Sequence, residues 1–292
     1  MRTLKMTLAM AGILVTGPAV ASTVQPDEIS GLQMWLHAGQ GVQLDGQQRV
    51  QTWEDQSGAT VFSASEADEA SRPTLNPTGG PAGNPTIEFD DHRLVAEGVQ
   101  DTAPNEMTIF GVVSTNDLGK RQMIFDTKAH VTNNSGFYVA FREWAGEHVE
   151  FRVINEHNDS MTLRVSSDDF SAEDDISVGD HMMIMARIDS TGAITLRVND
   201  AVLNGQMDNP GALAHNRHLG IGGVYNSAAD RFDGTVSAAL FYNRALNDTE
   251  ADDVFQHLYN THIIPEPGMG MSMLGLSSLL LLRRKSKWQT HA

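Results

Sequence analysis

Apolar and polar residues alternate with a period of two along much of residues 32–242. Successive side chains of an extended strand point to opposite faces, so such a run forms a strand with one face turned to a core. Residues 32–37 place Leu32, Met34 and Leu36 on one face. Residues 137–142 do the same with Phe137, Val139 and Phe141, and residues 148–154 with Val149, Phe151 and Val153. Residues 107–114 are apolar almost throughout, as in a strand buried on both faces. Residues 181–189 and 193–199 flank Ser190-Thr191-Gly192, which predicts a hairpin with a glycine in its loop. Residues 235–242 form a further strand. Turn residues such as Asn133-Asn134, Gly179-Asp180, Asn199-Asp200 and Asn209-Pro210-Gly211 separate the runs. Many short strands at this spacing predict an all-β sandwich or jelly roll.

The period changes once. From Ala251, apolar residues fall at Val254, Phe255 and Leu258, the spacing of one helix face. Asn247 with Glu250 three residues on makes a capping box. This helix is expected to run to about His262 and to pack on the sheet.

Both ends read as addresses. Arg2 and Lys5 precede an apolar stretch over 6–20, which ends in Ala19-Val20-Ala21. These are the three parts of a secretory signal peptide, with cleavage expected after Ala21 and a mature start at Ser22. At the other end, residues 268–282 are apolar or small and span about 22 Å as a helix. The hydrocarbon core of a bilayer is about 30 Å thick, so this transmembrane helix is marginal as a permanent anchor. Arg283, Arg284 and Lys285 follow and are expected to stay cytoplasmic. Before the apolar run, Pro265-Glu266-Pro267 holds the backbone extended, as a processing enzyme needs. The chain thus divides into a signal peptide (1–21), one domain (22–264) and a tail (265–292).

Composition supports a globular middle, with 40 % hydrophobic and 20 % charged residues. The absence of cysteine excludes a disulfide framework, a zinc–thiolate cluster and a thiol nucleophile. The formal net charge is −17, and the ends hide part of the imbalance. The six basic residues of the two ends leave 14 of 20 for the middle, against 36 of 37 acidic ones, a net of about −22. A surface so acidic repels nucleic acid and anionic membrane, and serves solubility.

Pro-Glu-Pro, a short apolar helix and an arginine-rich end, in that order over 264–287, resemble the PEP-CTERM sorting signal of Gram-negative bacteria. The resemblance implies an exosortase-type processing enzyme as partner. It also implies transient inner-membrane insertion and a final place on the cell surface or outside it; the alternative is a membrane anchor facing the periplasm. It implies an organism that makes exopolysaccharide and biofilm.

Three further segments, 31–58, 72–94 and 231–259, resemble bacterial laminin G-like domains. Those domains open on G-L-x-x-W-L-D-A-G-x-G-V and close on a strand followed by Y-N-R-x-L and a helix. The fold this implies is a concanavalin A-like jelly-roll β-sandwich with one C-terminal packing helix. His37 stands where that pattern has Asp, Asp200 where it has a turn Gly, and Ala239 where Glu is common.

Candidate chemistry is sparse. A retaining glucanase needs two carboxylates about 5–5.5 Å apart, most compactly as Glu-x-Asp-x-Glu on one strand. No such triplet occurs, and Glu147 and Glu150, three apart, are expected on opposite faces. A polysaccharide lyase needs a Tyr/His pair beside a neutralising Arg or Gln; Tyr225 is a candidate without a placed histidine. His215 and His218 read as a solvated loop. Ca²⁺ takes six to eight oxygens, and Asp90 with Asp91 at a strand end is the candidate site, ahead of the oxygen-rich loop 167–175. Trp35 and Trp53 read as core. Trp144, at an expected hairpin tip, is the candidate stacking platform for carbohydrate. Trp288 belongs to the tail.

These readings favour an exported, non-catalytic surface or matrix protein associated with extracellular polysaccharide. Two alternatives stay open: a structural surface protein with no specific ligand, and a carbohydrate-active enzyme.

Overall fold

The computed structural model describes residues 24–58, 62–99, 105–127, 135–144, 147–166, 169, 176–213, 218–224 and 230–264, and the backbone alone of residues 82, 143, 144 and 147. The expected signal peptide with Ala19 and Ala21 lies outside the described residues. So does the tail with Pro265, Glu266, Pro267, Arg283 and Arg284 and its apolar segment. Among the described residues no helix is long and apolar enough to cross a membrane.

The strands, in chain order, begin with β1 (Leu32–His37), β2 (Val42–Leu44), β3 (Val50–Trp53), β4 (Ala64–Ser65), β5 (Thr74–Asn76) and β6 (Thr86–His92). They continue with β7 (Leu94–Glu97), β8 (Met107–Thr115), β9 (Gln122–Asp126), β10 (Gly136–Trp144), β11 (Glu147–Ile154) and β12 (Ser160–Ser166). The last are β13 (Met182–Ile188), β14 (Ala193–Val198), β15 (Ala201–Gln206), β16 (His218–Ile221) and β17 (Phe232–Tyr242). Helix α1 (Asp248–Leu258) follows and continues as a π turn over Tyr259–Ile263.

Two antiparallel sheets form. The first runs β15-β14-β13-β8-β17-β6-β5, with β1 also paired to β17. The second runs β12-β11-β10-β9-β16-β7-β4-β3-β2. The alternation expected from the sequence is what joins them. Ile109, Ile184, Leu196 and Phe241 of the first sheet meet Phe125, Phe137, Val139, Phe151 and Val153 of the second in one buried core. The sheets approach closely where β8 carries Gly111: a Cβ there would stand 2.8 Å from the Phe125 ring. The β13–β14 hairpin turns at Gly192 with φ +85°, a conformation that favours glycine.

The opposite face of the first sheet is apolar as well. Phe110, Met183, Met185, Leu240 and Tyr242 form a second buried cluster with Val254, Phe255 and Leu258 of α1. Both hydrogen bonds of the capping box are present between Asn247 and Glu250. Three ion pairs clamp the helix region to the sheet and its own start: Arg197–Asp252 at 2.6 Å, Arg187–Asp248 at 2.9 Å and Arg244–Glu250 at 2.7 Å. The Arg197 guanidinium also lies 3.9 Å from the centre of the Phe255 ring.

Trp53 is fully buried in the main core, as expected, and Trp35 packs against the helix-side cluster. His37, unexplained by the sequence, has a partner here. Its ring sits 4.7 Å from that of His262, while His257 meets Trp35 edge-on at 5.7 Å. His37, on β1, thus helps dock the helix and its π turn. The Nδ1 atom of His37 accepts the Gly39 N–H at 2.9 Å, and Nε2 of the buried His262 has no partner among the described residues.

Burial lowers the pKa of all three imidazoles. His262 falls to about 3, its burial reinforced by the charges His37 and His257 would carry. His257 is lowered by burial and by His37, with Asp27 opposing. His37 is lowered by burial, against its own backbone hydrogen bond. The unfolded chain, with imidazoles near 6.5, then binds more protons than the folded one. The contribution is complete above about pH 6.5 and is lost as pH falls toward the folded values. His262 alone is worth about 1.4 kcal/mol per pH unit within that window. We expect the melting temperature to fall as pH drops from 6.5 to 4, and His262→Met to flatten that slope. A calorimetric series at constant ionic strength checks this; an unchanged slope in the variant overturns it.

Candidate ligand-binding face

The outer face of the second sheet differs from that of the first. On β10, Phe137, Val139 and Phe141 point into the core, so Tyr138, Ala140 and Arg142 point outward. The ladder sets their neighbours. Tyr138 lies opposite Asp126 of β9 and Arg152 of β11, and Arg152 opposite Thr162 of β12. One step along, Ala140 lies between Met123 and Glu150, and Glu150 lies opposite Arg164. The outward side chains thus form a lattice of two rows across four strands.

Glu150 is its centre. Opposite the small Ala140 there is room for the side chains two residues on either side to lean in. Tyr138 donates its phenol to Oε1 at 2.5 Å. Arg142 donates to Oε2 at 2.5 Å and Arg164 at 2.7 Å. Burial, which leaves Glu150 only 1 % exposed, works against its ionisation. The hydrogen bonds from Tyr138, Arg164 and Arg142 outweigh that and hold its carboxyl below the ordinary range. Burial and the neighbouring carboxylate push the Tyr138 phenol up. At neutral pH, then, Glu150 is ionised and enclosed by donors, and Tyr138 keeps its proton. Neither is set up as a general acid or base.

Two more guanidiniums flank the tyrosine. Arg121 lies 4.9 Å from the centre of its ring and pairs with Asp230 at 3.2 Å. Arg152 reaches Ser160 Oγ at 3.2 Å. The Nε groups of both Arg121 and Arg152 are buried with no hydrogen-bond partner among the described residues. Met123, Tyr138, Ala140 and Val224 form a small buried cluster beneath these polar ends.

The residues singled out from sequence fall elsewhere or at the rim. Trp144 ends β10, opposite Glu147 at the tip of the β10–β11 hairpin; its side chain lies outside the described residues, as does that of Glu147. Asp90 and Asp91 are exposed near the end of β6, in the other sheet. Asp91 has φ 54°, its carbonyl accepts from Arg231 at 2.5 Å, and its carboxylate lies 3.9 Å from Lys120. No group of three or more His, Asp or Glu among the described residues is arranged as metal ligands. Tyr225 and His215 lie outside the described residues, and His218 opens β16. Of loop 167–175, only Asp169 is described, and it accepts from Ser166 N–H at 2.8 Å. The Glu150 cluster was not anticipated. The signal was present in the polar half of the same alternation: Tyr138, Arg142, Glu150, Arg152 and Arg164 all share the face opposite the core residues.

No protein-family profile matches the chain, and no curated protein matches it. Neither the laminin G-like nor the PEP-CTERM resemblance gains support from those comparisons. Solved structures do match. The binding domain of Paraclostridial Mosquitocidal Protein 1 superposes with a TM-score of 0.57 at 14 % identity, over 81 % of this chain and 54 % of that one. The botulinum neurotoxin serotype G binding domain gives 0.53 at 15 %, over 77 % and 50 %. The binding domain of botulinum neurotoxin DC, solved in complex with SialylT, gives 0.51 at 12 %, over 80 % and 52 %. The chain spans about half the length of these structures. At such identities the likeness establishes the fold, an antiparallel β-sandwich.

Breaking a fully buried ion pair costs about 3–5 kcal/mol, but Arg142 and Arg164 are one quarter to one third exposed and keep water. Glu150→Ala is therefore expected to cost about 2 kcal/mol. Urea denaturation measures it, and a loss under about 0.5 kcal/mol, typical of an exposed pair, would contradict the central place given to Glu150.

Proposed function

We propose that the chain is an exported, non-catalytic surface or matrix module that associates with extracellular carbohydrate through the outer face of its second sheet. One observation carries this reading. The Glu150 cluster of that face encloses an ionised carboxylate among three donors and keeps its tyrosine protonated, an arrangement suited to presenting fixed donors. The matched solved structures are titled as binding domains, one of them in complex with SialylT, which supports a binding role at the level of the fold. A hydrolase or lyase would need a solvent-accessible acid–base pair, and Glu150 and Tyr138 do not supply one.

Export belongs to the same reading and rests on the two chain ends. An exosortase-type enzyme would act on Pro265-Glu266-Pro267 while the apolar segment is held in the inner membrane behind Arg283 and Arg284. Asp90 and Asp91, both exposed, remain the proposed Ca²⁺ contacts.

A glycan array read with and without Ca²⁺ is expected to show binding by the wild type and weaker binding by Trp144→Ala. No binding in either condition would favour a structural protein without a ligand, and cleavage of β-glucan or alginate would restore the enzyme alternative. Intact mass and fractionation of the native protein are expected to show a start at Ser22 and a trimmed tail. Full-length protein retained in the inner membrane would replace sorting with a plain anchor.

A further inference from the structure

We infer that the ligand of this face is an acidic glycan, a chain of uronate-type sugars, whose carboxylates are taken by Arg121 and Arg152. The inference rests on the carbohydrate-binding reading above and adds the charge class of the sugar.

The first argument is the distribution of charge. The middle of the chain has only 14 basic residues, and four of them, Arg121, Arg142, Arg152 and Arg164, meet around Tyr138 and Glu150. Solubility does not ask for this, because the acidic remainder already supplies it. Nor does a neutral sugar, which is bound by amides, hydroxyls and aromatic faces. The Tyr138 ring is no stacking platform: it is 2 % exposed, and Arg121 lies over it. The acidic remainder does not forbid an anionic ligand locally, since charges beyond about 8 Å are largely screened at physiological salt.

The second argument is how the four guanidiniums are used. Arg142 and Arg164 serve Glu150. Arg121, paired with Asp230, lies over the Tyr138 ring, and Arg152, on Ser160, lies opposite Tyr138 in the ladder; each has an Nε–H buried without an acceptor among the described residues. A buried donor left unpaired is costly, and Nε–H with Nη–H is the edge of arginine that takes a carboxylate in two parallel bonds. Small rotations of either side chain would present that edge outward. Two such edges, one just before β9 and one on β11 with β10 between them, suit a ligand that repeats its carboxylate along a chain. Glu150 fits the same scheme: as an enclosed anion it holds Arg142 and Arg164 in place and lowers the net positive charge, favouring singly charged sugars over a dense polyphosphate.

The test is calorimetric titration of the full domain, residues 22–264 in the exported protein, with an oligouronate, its carboxyl-reduced neutral counterpart, and citrate as a simple anion. We expect the oligouronate to bind and the reduced oligomer to bind at least about tenfold more weakly. Raising salt from about 50 to about 200 mM should weaken the oligouronate several-fold. Arg152→Gln and Arg121→Gln should each lower its affinity about tenfold while melting within a few degrees of wild type. Equal binding of acidic and reduced oligomers overturns the inference and leaves the carbohydrate reading intact. Citrate binding as tightly as the oligouronate also overturns it, as a simple anion site. If neither oligomer binds, the carbohydrate reading fails and the inference with it. The wild-type comparison of the two oligomers decides the matter even if a variant does not fold.

Discussion

The first sheet must be covered on both faces. Every residue of β8 is buried, as is nearly every residue of β17. A strand pair of this kind is stable only as the middle layer of three. The second sheet supplies one cover, through Phe125, Phe137, Phe151 and their neighbours. Helix α1 supplies the other, through Val254, Phe255 and Leu258. The rest follows from that layering. The face against which α1 packs is largely covered by it, apart from a cavity of about 650 Å³ between the helix and β13–β14, lined by His181, Met183, Arg197 and Phe255 among others. The outer face of the second sheet, with no α-helix of the described residues against it, is left to carry polar chemistry.

At the centre of that face sits one buried anion. Arginines brought together on a sheet repel one another unless a counter-charge sits among them. Glu150 is that counter-charge, and its position is fixed three ways by the register: Ala140 opposite gives room, Tyr138 and Arg142 lean in from either side of Ala140 on β10, and Arg164 faces it from β12. The cost of burying the carboxylate is offset by three donors, two of them charged. What the arrangement gains is a fixed position for the Arg142 and Arg164 guanidiniums.

Much of the fold was legible because its signal is local. The inward residues of β1, β8, β10, β11, β13, β14 and β17 can be read from alternation, and the start of α1 from Asn247 and Glu250. The strand order of the two sheets cannot, because it depends on pairings between distant segments such as β8 with β17. The Glu150 cluster was hidden for a related reason. Tyr138, Glu150 and Arg164 lie on three strands, and only the register makes them neighbours. Glu147 and Glu150 drew notice as a carboxylate pair, whereas the partners that matter to Glu150 are a phenol and two guanidiniums. His37 was opaque as an exception to a sequence pattern and becomes intelligible beside His262, 225 positions along the chain.

The same docking bears on how the domain hands over to its tail. His262 is almost fully buried, Ile263 packs at the edge of the helix-side cluster, and Ile264 is extended and 39 % exposed. The packed surface thus ends at Ile264, the last described residue. The histidine cluster keeps the boundary sharp. While His37, His257 and His262 stay neutral, the π turn is held against β1, and pulling on the tail has to break that contact before it reaches α1. The helix that covers the first sheet thus also separates the outer face of the second sheet, on the far side of the sandwich, from the domain's described C-terminal boundary at Ile264.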